Sequence, residues 1–94
     1  NKNVEILQTI YETLLTIKKL KLQIEQSDYS LKNKDIELVL KKIQYEAGRV
    51  DIIELNNAIM SKNNQQKENI SLKNSLIVIS HLSILSALLR LFPL

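Results

Sequence analysis

Apolar residues return at every seventh position through the first half of the chain: Ile10, Ile17, Ile24, Leu31, Leu38 and Tyr45 fall on one line, with Leu7 and Leu14 beside it. A seven-residue period sustained this far predicts one long helix, about residues 3–46, packed as in a coiled coil with slight left-handed supercoiling. A second line runs through Leu15, Leu22, Tyr29, Ile36 and Ile43. It is displaced five residues from the first, which at about 100° per residue places it roughly 150° around the helix. An ordinary two-helix hairpin needs one apolar stripe per helix. Two nearly opposed stripes predict neighbours on both sides, as in a larger bundle or a closed ring of helices. Ser27, Asp28 and Ser30 lower the local helix propensity; with no Gly or Pro nearby they predict at most a bend.

The second half predicts another helix, about residues 52–92, of uneven character. Ser61 to Asn69 contains no apolar residue, and this stretch is expected to face water or a polar lumen. From Ile70 onward the chain is apolar, with a line at Ile70, Ile77, Ile84 and Leu91 and with Leu72, Leu76, Val78, Ile79, Leu82, Leu85, Leu88 and Leu89 spread around it. Helices apolar on most of their circumference are buried in protein or in lipid. Leu76 to Leu94 has the length of a membrane span, but Ser80, His81, Ser83, Ser86, Arg90 and Pro93 interrupt it, which favours burial in protein.

The connection at residues 47–51 is the best-specified feature. Gly48 is the one glycine of the chain and Pro93 the one proline, so the strongest breakers of regular structure divide the chain at its middle and at its end. Gly48 suits the left-handed position that ends a helix. Asp51 is placed to cap the second helix, Glu54 to complete a capping box, and Val50 with Leu55 to form a hydrophobic staple. Together these predict an all-α fold: a long antiparallel hairpin of two helices in a single unit, residues 1–94.

Length and charge narrow the function. A chain of 94 residues has little interior in which to hide an active site, so function is sought on surfaces. It opens at Asn1 without Met, apolar leader or cleavage signal and reads as a cut-out or processed segment. There is no cysteine, which removes thiolate chemistry, disulfides and most structural zinc sites but fits any redox compartment. Net charge is +3, from 13 basic and 10 acidic residues in mixed order. Lys18, Lys19 and Lys21 form the nearest thing to a basic cluster, but they span most of a helical turn, are followed by Glu25, and read as a solvated face. With four aromatic residues there is no stacking platform, and nucleic acid is not expected as a partner. His81 is the single histidine, without the companions that a metal or catalytic site needs, and is expected to be packed or lumen-facing. No phosphate loop, nucleophile elbow or paired acid–base constellation occurs. The expectation is no enzyme activity, no cofactor and no metal.

The string YEAGRVDIIEL, Tyr45 to Leu55, strongly resembles the periplasmic-tip turn in the C-terminal repeat of TolC-like outer-membrane efflux channels. In that family a similar Tyr-Glu-Ala-Gly closes one long helix, and a short apolar-acidic segment with a Leu opens the next. The flanks agree: LQIEQSDYSLKNKDIELVLKKIQ before the turn, and SHLSILSALLRLF at the end of the returning helix. The resemblance implies part of a homotrimeric α-helical barrel in the outer membrane and periplasm, a water-filled tube for small-molecule export. It further implies a periplasmic adaptor (membrane fusion) protein and an inner-membrane transporter as partners. Tyr45 matches the tip Tyr near the closed end of the tube, while Ala47, Gly48 and Arg49 match the tip surface that the adaptor's helical hairpin engages. The departures are the lack of membrane-barrel strands and of the first structural repeat, and the position of Arg49. Family members often carry an Arg of the closing network somewhat beyond the tip Gly, whereas here Arg49 follows Gly48 directly and Val50 comes next.

Each tip residue also has a plainer role: Tyr45 extends the heptad line, Gly48 ends a helix, and Asp51 and Glu54 cap one. The alternative function is a soluble coiled-coil interaction module that self-associates into a four-helix bundle without a transport role; a third is a hairpin anchored in a membrane through Leu76 to Leu94.

Overall fold

The seven-residue line of the first helix is the seam of the molecule. In the computed structural model, which describes residues 2–91, helix α1 spans Lys2–Glu46 and helix α2 spans Ile52–Leu91. They are joined by the turn at Ala47–Val50, with Asp51 opening α2. All the described residues belong to this hairpin, and no strand occurs among them. The predicted end at residue 92 and Pro93 lie outside the described residues. At about 1.5 Å per residue the longer helix should reach ~68 Å, and the long axis of the molecule is 69 Å. Ser27, Asp28 and Ser30 do not interrupt α1, because contacts with α2 outweigh a weak local propensity.

Along α1 the residues turned toward α2 are Ile17, Ile24, Leu31 and Leu38, alternating with Thr13, Leu20, Ser27, Lys34 and Lys41. Along α2 they are Leu55, Lys62, Asn69, Leu76 and Ser83, alternating with Ala58, Gln65, Leu72 and Ile79. This revises the reading of α2. Ile70, Ile77 and Ile84 form an exposed line, and Leu72, Leu76 and Ile79 do the packing. The phase of α2 is set at the turn: Leu55 is the first residue to be buried against α1, and inward positions then follow by heptads. The polar stretch Ser61 to Asn69 therefore points partly inward, through Lys62, Gln65 and Asn69, and is not wholly given to water.

The middle of the seam is polar as a result. Ser27 and Asn69 are 5% and 4% exposed. Asn69 Nδ2 donates to Ser27 Oγ at 3.2 Å and to Asp28 Oδ1 at 2.7 Å, and Gln65 Nε2 donates to the same Ser27 oxygen at 3.3 Å. Lys73 Nζ stands 3.1 Å from Asp28, and Lys62 Nζ 2.8 Å from Asp35. Satisfied polar groups of this kind add only ~0.5–1.5 kcal/mol per hydrogen bond, and exposed ion pairs add less. Toward the open end of the hairpin the seam is apolar on α1 and small on α2. Ile6, Ile10 and Ile17 face Ser83, Ser86 and Ala87 across an open groove of about 470 Å³. Ser83 donates its hydroxyl to the Ile79 carbonyl at 2.8 Å, which lets a serine sit in this setting without an unmet donor.

Little is hidden. Among the described residues the buried apolar ones are Leu38 and Leu55, at 7% and 9% exposure. A globular protein of 10.8 kDa is expected to expose about 5,500 Å²; this chain exposes 7695 Å². The second stripe of α1 accounts for much of the excess, since Leu15, Leu22, Tyr29, Ile36 and Ile43 are 40–68% exposed on the side away from α2.

Two outcomes are expected from the polar layer. Asn69→Ala should destabilise the hairpin by ~1–3 kcal/mol in chemical denaturation followed by circular dichroism, because it removes two hydrogen bonds and leaves a shielded hydroxyl. The pair Ser27→Ala with Asn69→Leu should recover part of that loss, since the two buried groups leave together while the less buried Gln65 and Asp28 turn to water. Asp28 is held below its ordinary pKa, first by the hydrogen bond from Asn69 and then by Lys73. A depressed carboxylate contributes stability that is present above its unfolded pKa and lost as pH falls through the folded one. Acid titration of the wild type should therefore show a loss below the ordinary aspartate range that Asp28→Asn lacks.

Candidate functional site at the hairpin tip

The turn is built from local rules that need no help from the rest of the molecule. At the end of α1 three backbone bonds close in sequence: Ala47 N to the Ile43 carbonyl at 3.0 Å, Gly48 N to Tyr45 at 3.0 Å, and Arg49 N to Gln44 at 2.8 Å. The last two are the paired bonds of a Schellman motif, and they require the left-handed residue that Gly48 supplies with φ of 73°. A Cβ built on Gly48 would meet nothing within 4 Å. The demand for glycine is thus one of backbone conformation and not of space.

Asp51 caps α2 as expected, its Oδ1 accepting from Glu54 N at 2.9 Å. The reciprocal half of the predicted capping box is not formed. Glu54 turns its carboxylate to Lys41 across the hairpin, at 3.4 Å. The opposed lysine offers a full charge where the Asp51 amide offers a partial one, and Lys41 reaches it from the inward line of α1. The staple residues are both withdrawn from solvent, Leu55 buried and Val50 half-buried.

The tip residues singled out in the sequence come together here. Ala47, Gly48 and Arg49 are exposed at the end of the rod, with Arg49 on the outer turn. Tyr45 lies at the end of the seam with 42% exposure, half in the packing and half on the surface. Two residues that the sequence reading passed over also belong to the tip. Lys41 ties α1 to α2 through Glu54, and Gln44 lends its carbonyl to the turn while its own Oε1 is shielded without a partner among the described residues. Lys41 was findable, since it falls three positions after Leu38, on the inward face.

Chemistry of other kinds is poorly furnished. Among the described residues no three His, Cys, Asp or Glu side chains gather as metal ligands would. His81 is exposed, with Nδ1 2.9 Å from the Ile77 carbonyl of its own helix. Of the two placements expected for it, packed or lumen-facing, packing within this hairpin does not occur, because the inward line of α2 passes through Ile79 and Ser83 instead. The arrangement offers contact surfaces: an exposed tip, a long apolar edge on α1 and an apolar face on α2 from Ile70 onward.

Gly48→Ala should lower stability by ~1–2 kcal/mol through the left-handed backbone alone, and Gly48→Asn by less. Asp51→Ala should cost ~1 kcal/mol by removing the cap. Thermal unfolding of the three variants measures this; equal stability of Gly48→Ala and wild type would mean that the turn relaxes to another conformation. No family profile, characterised protein or solved structure matches the chain, so what it does is argued from the hairpin itself.

Proposed function

We propose that this chain is the tip-bearing hairpin of a TolC-like outer-membrane efflux channel, forming part of the wall of a periplasmic tube and the turn that docks an adaptor. The observation that carries the reading is the second stripe of α1, which faces away from α2 along the same length over which the first stripe packs. A helix with two such faces suits the wall of a closed ring, flanked on both sides. The self-contained turn supports it as well, because a docking tip must hold its shape without contacts from its neighbours. In this reading Tyr45, Ala47, Gly48 and Arg49 are the tip surface, and export depends on helix packing and opening of the tip, with no bond chemistry. Homotrimer, adaptor, inner-membrane transporter and an outer-membrane and periplasmic location belong to the same proposal.

A membrane-inserted hairpin is the weaker reading. One stretch of α2 within Ile52–Arg90 is long and apolar enough to cross a bilayer, with a mean hydropathy of 1.6 and none of it buried. The open-end half of α1 lies alongside, however, and lines one groove with Ser83, Ala87 and Arg90. Lipid around that half would also enclose Glu5 and Glu12 of α1, at a cost of a few kcal/mol or more for each charge.

The test belongs in the full-length protein that carries this hairpin. Gly48→Glu should abolish drug export in protein that still trimerises, because a carboxylate at a docking tip is desolvated without a partner. Gly48→Ala, which carries the same backbone strain without the charge, should retain export. Tyr45→Ala should raise passive entry of large antibiotics while leaving the fold intact, since it removes packing at the closed end but no cap. A self-associating coiled-coil module predicts neither effect. Normal export and normal uptake at unchanged protein levels reject the channel reading.

A further inference from the structure

We propose that the groove between the helices at the open end of the hairpin binds a single-chain amphipathic carboxylate, its alkyl tail laid between α1 and α2 and its head at Arg90. The inference does not require the channel reading. It starts from the void of about 470 Å³ lined by Ile6, Ile10 and Ile17 on one side and by Ser86, Ala87 and Arg90 on the other. That volume falls within the ~300–1,000 Å³ of small-molecule sites. Small side chains on α2 open the void, because nothing larger than serine lines it opposite the isoleucines until Arg90. Hydroxyls line it as well, but Thr9, Thr13 and Ser83 each donate to the carbonyl four residues back in their own helix, at 2.9, 2.8 and 2.8 Å. With those donors met, the walls behave as apolar ones.

Shape and charge then choose the occupant. From Ile6 to Ile17 the groove runs along ~16 Å of helix, so the void has a mean cross-section of about 30 Å², room for one alkyl chain. An α-helix, ~10–12 Å across with its side chains, does not fit. An extended peptide would set its backbone N–H and carbonyl groups against walls that offer no free partner. Among the described residues Arg90 is the one charged residue that lines the groove, and it takes part in none of the ion pairs. The pairings of Lys41 with Glu54, Asp35 with Lys62 and Ser27 with Asn69 step evenly along the two helices. Carried on, they set Thr13 level with Ser83 and Ile6 level with Arg90. Arg90 therefore stands at the open mouth, and a tail leaving it runs inward toward Ile17. Glu5 and Glu12 of the same half do not line the groove, so a cationic head finds no partner there. A carboxylate does, since a guanidinium donates two parallel bonds to it.

Dodecanoate below its micellar range, titrated calorimetrically into the 94-residue chain, should bind saturably at one per chain. Arg90→Gln should weaken binding about tenfold or more, as loss of a charge-assisted bond does, and dodecyltrimethylammonium should bind the wild type no better than dodecanoate binds that variant. Ala87→Phe, at an exposed position that lines the groove, should abolish binding with helicity retained. Ser86→Leu, a smaller filling of the same space, should weaken it in the same direction, so the test does not hang on one variant folding. Leu85→Gln, also exposed but outside the groove, should leave binding unchanged. Absence of saturable binding overturns the proposal. So does equal weakening by Leu85→Gln and Ala87→Phe, which reports adsorption to the apolar surface at large, and so does equal affinity for the alkyl cation. Recruitment of the chain to phosphatidylglycerol vesicles without dodecanoate binding makes a bilayer the partner and overturns it as well.

Discussion

A helix with apolar residues on two opposite sides cannot hide both against one partner, and everything else in this molecule follows from that constraint. α2 covers one stripe of α1 through Ile17, Ile24, Leu31 and Leu38 and is too narrow to reach the other. The five residues left outside would each gain about 1 kcal/mol from cover, given that 40–68% of their surface is still wet. The hairpin is therefore stable in shape along its seam and unfinished along its edges. In the reading proposed, that combination suits a structural unit of an assembly.

The seam is itself a compromise. Its middle is held by Ser27, Gln65 and Asn69 with the Asp28–Lys73 and Asp35–Lys62 pairs, where leucines would bury more apolar surface. Ser27 and Asn69 are hydrogen-bonded, so their burial costs little, but the layer contributes less than apolar packing would. The tip compensates by local means, a left-handed glycine, a Schellman pair and an aspartate cap, and by the Lys41–Glu54 bridge across the hairpin. Rigid turn, polar belt and apolar open end succeed one another along the rod. The part most suited to meet a partner end-on is also the part least dependent on neighbours for its own conformation.

Function in such a molecule is a matter of which surfaces meet. In the reading proposed, that function rests on contact, charge and cover. The tip and the two edges serve different partners in the reading proposed, the tip an adaptor and the edges other hairpins. Their substitutions are accordingly expected to separate, with tip changes acting on export and edge changes on assembly.

Helix length, the turn and the α1 seam were legible in the sequence because each rests on near-neighbour rules. Seven-residue spacing reports one face of a helix, and Gly48, Asp51 and Leu55 act within a few residues of one another. What the sequence left open was the inward face of α2. Apolar side chains surround that helix beyond Ile70, so no periodicity singles out Leu72, Leu76 and Ile79 from Ile70, Ile77 and Ile84; the choice is made by the angle at which the turn launches the helix. The buried layer was hidden for the same reason, since Ser27 and Asn69 lie 42 residues apart and neither carries a mark of its partner. Glu54 shows the competition most directly: its spacing from Asp51 suits a capping box, but only the folded hairpin brings Lys41 within reach, and the stronger charge takes it.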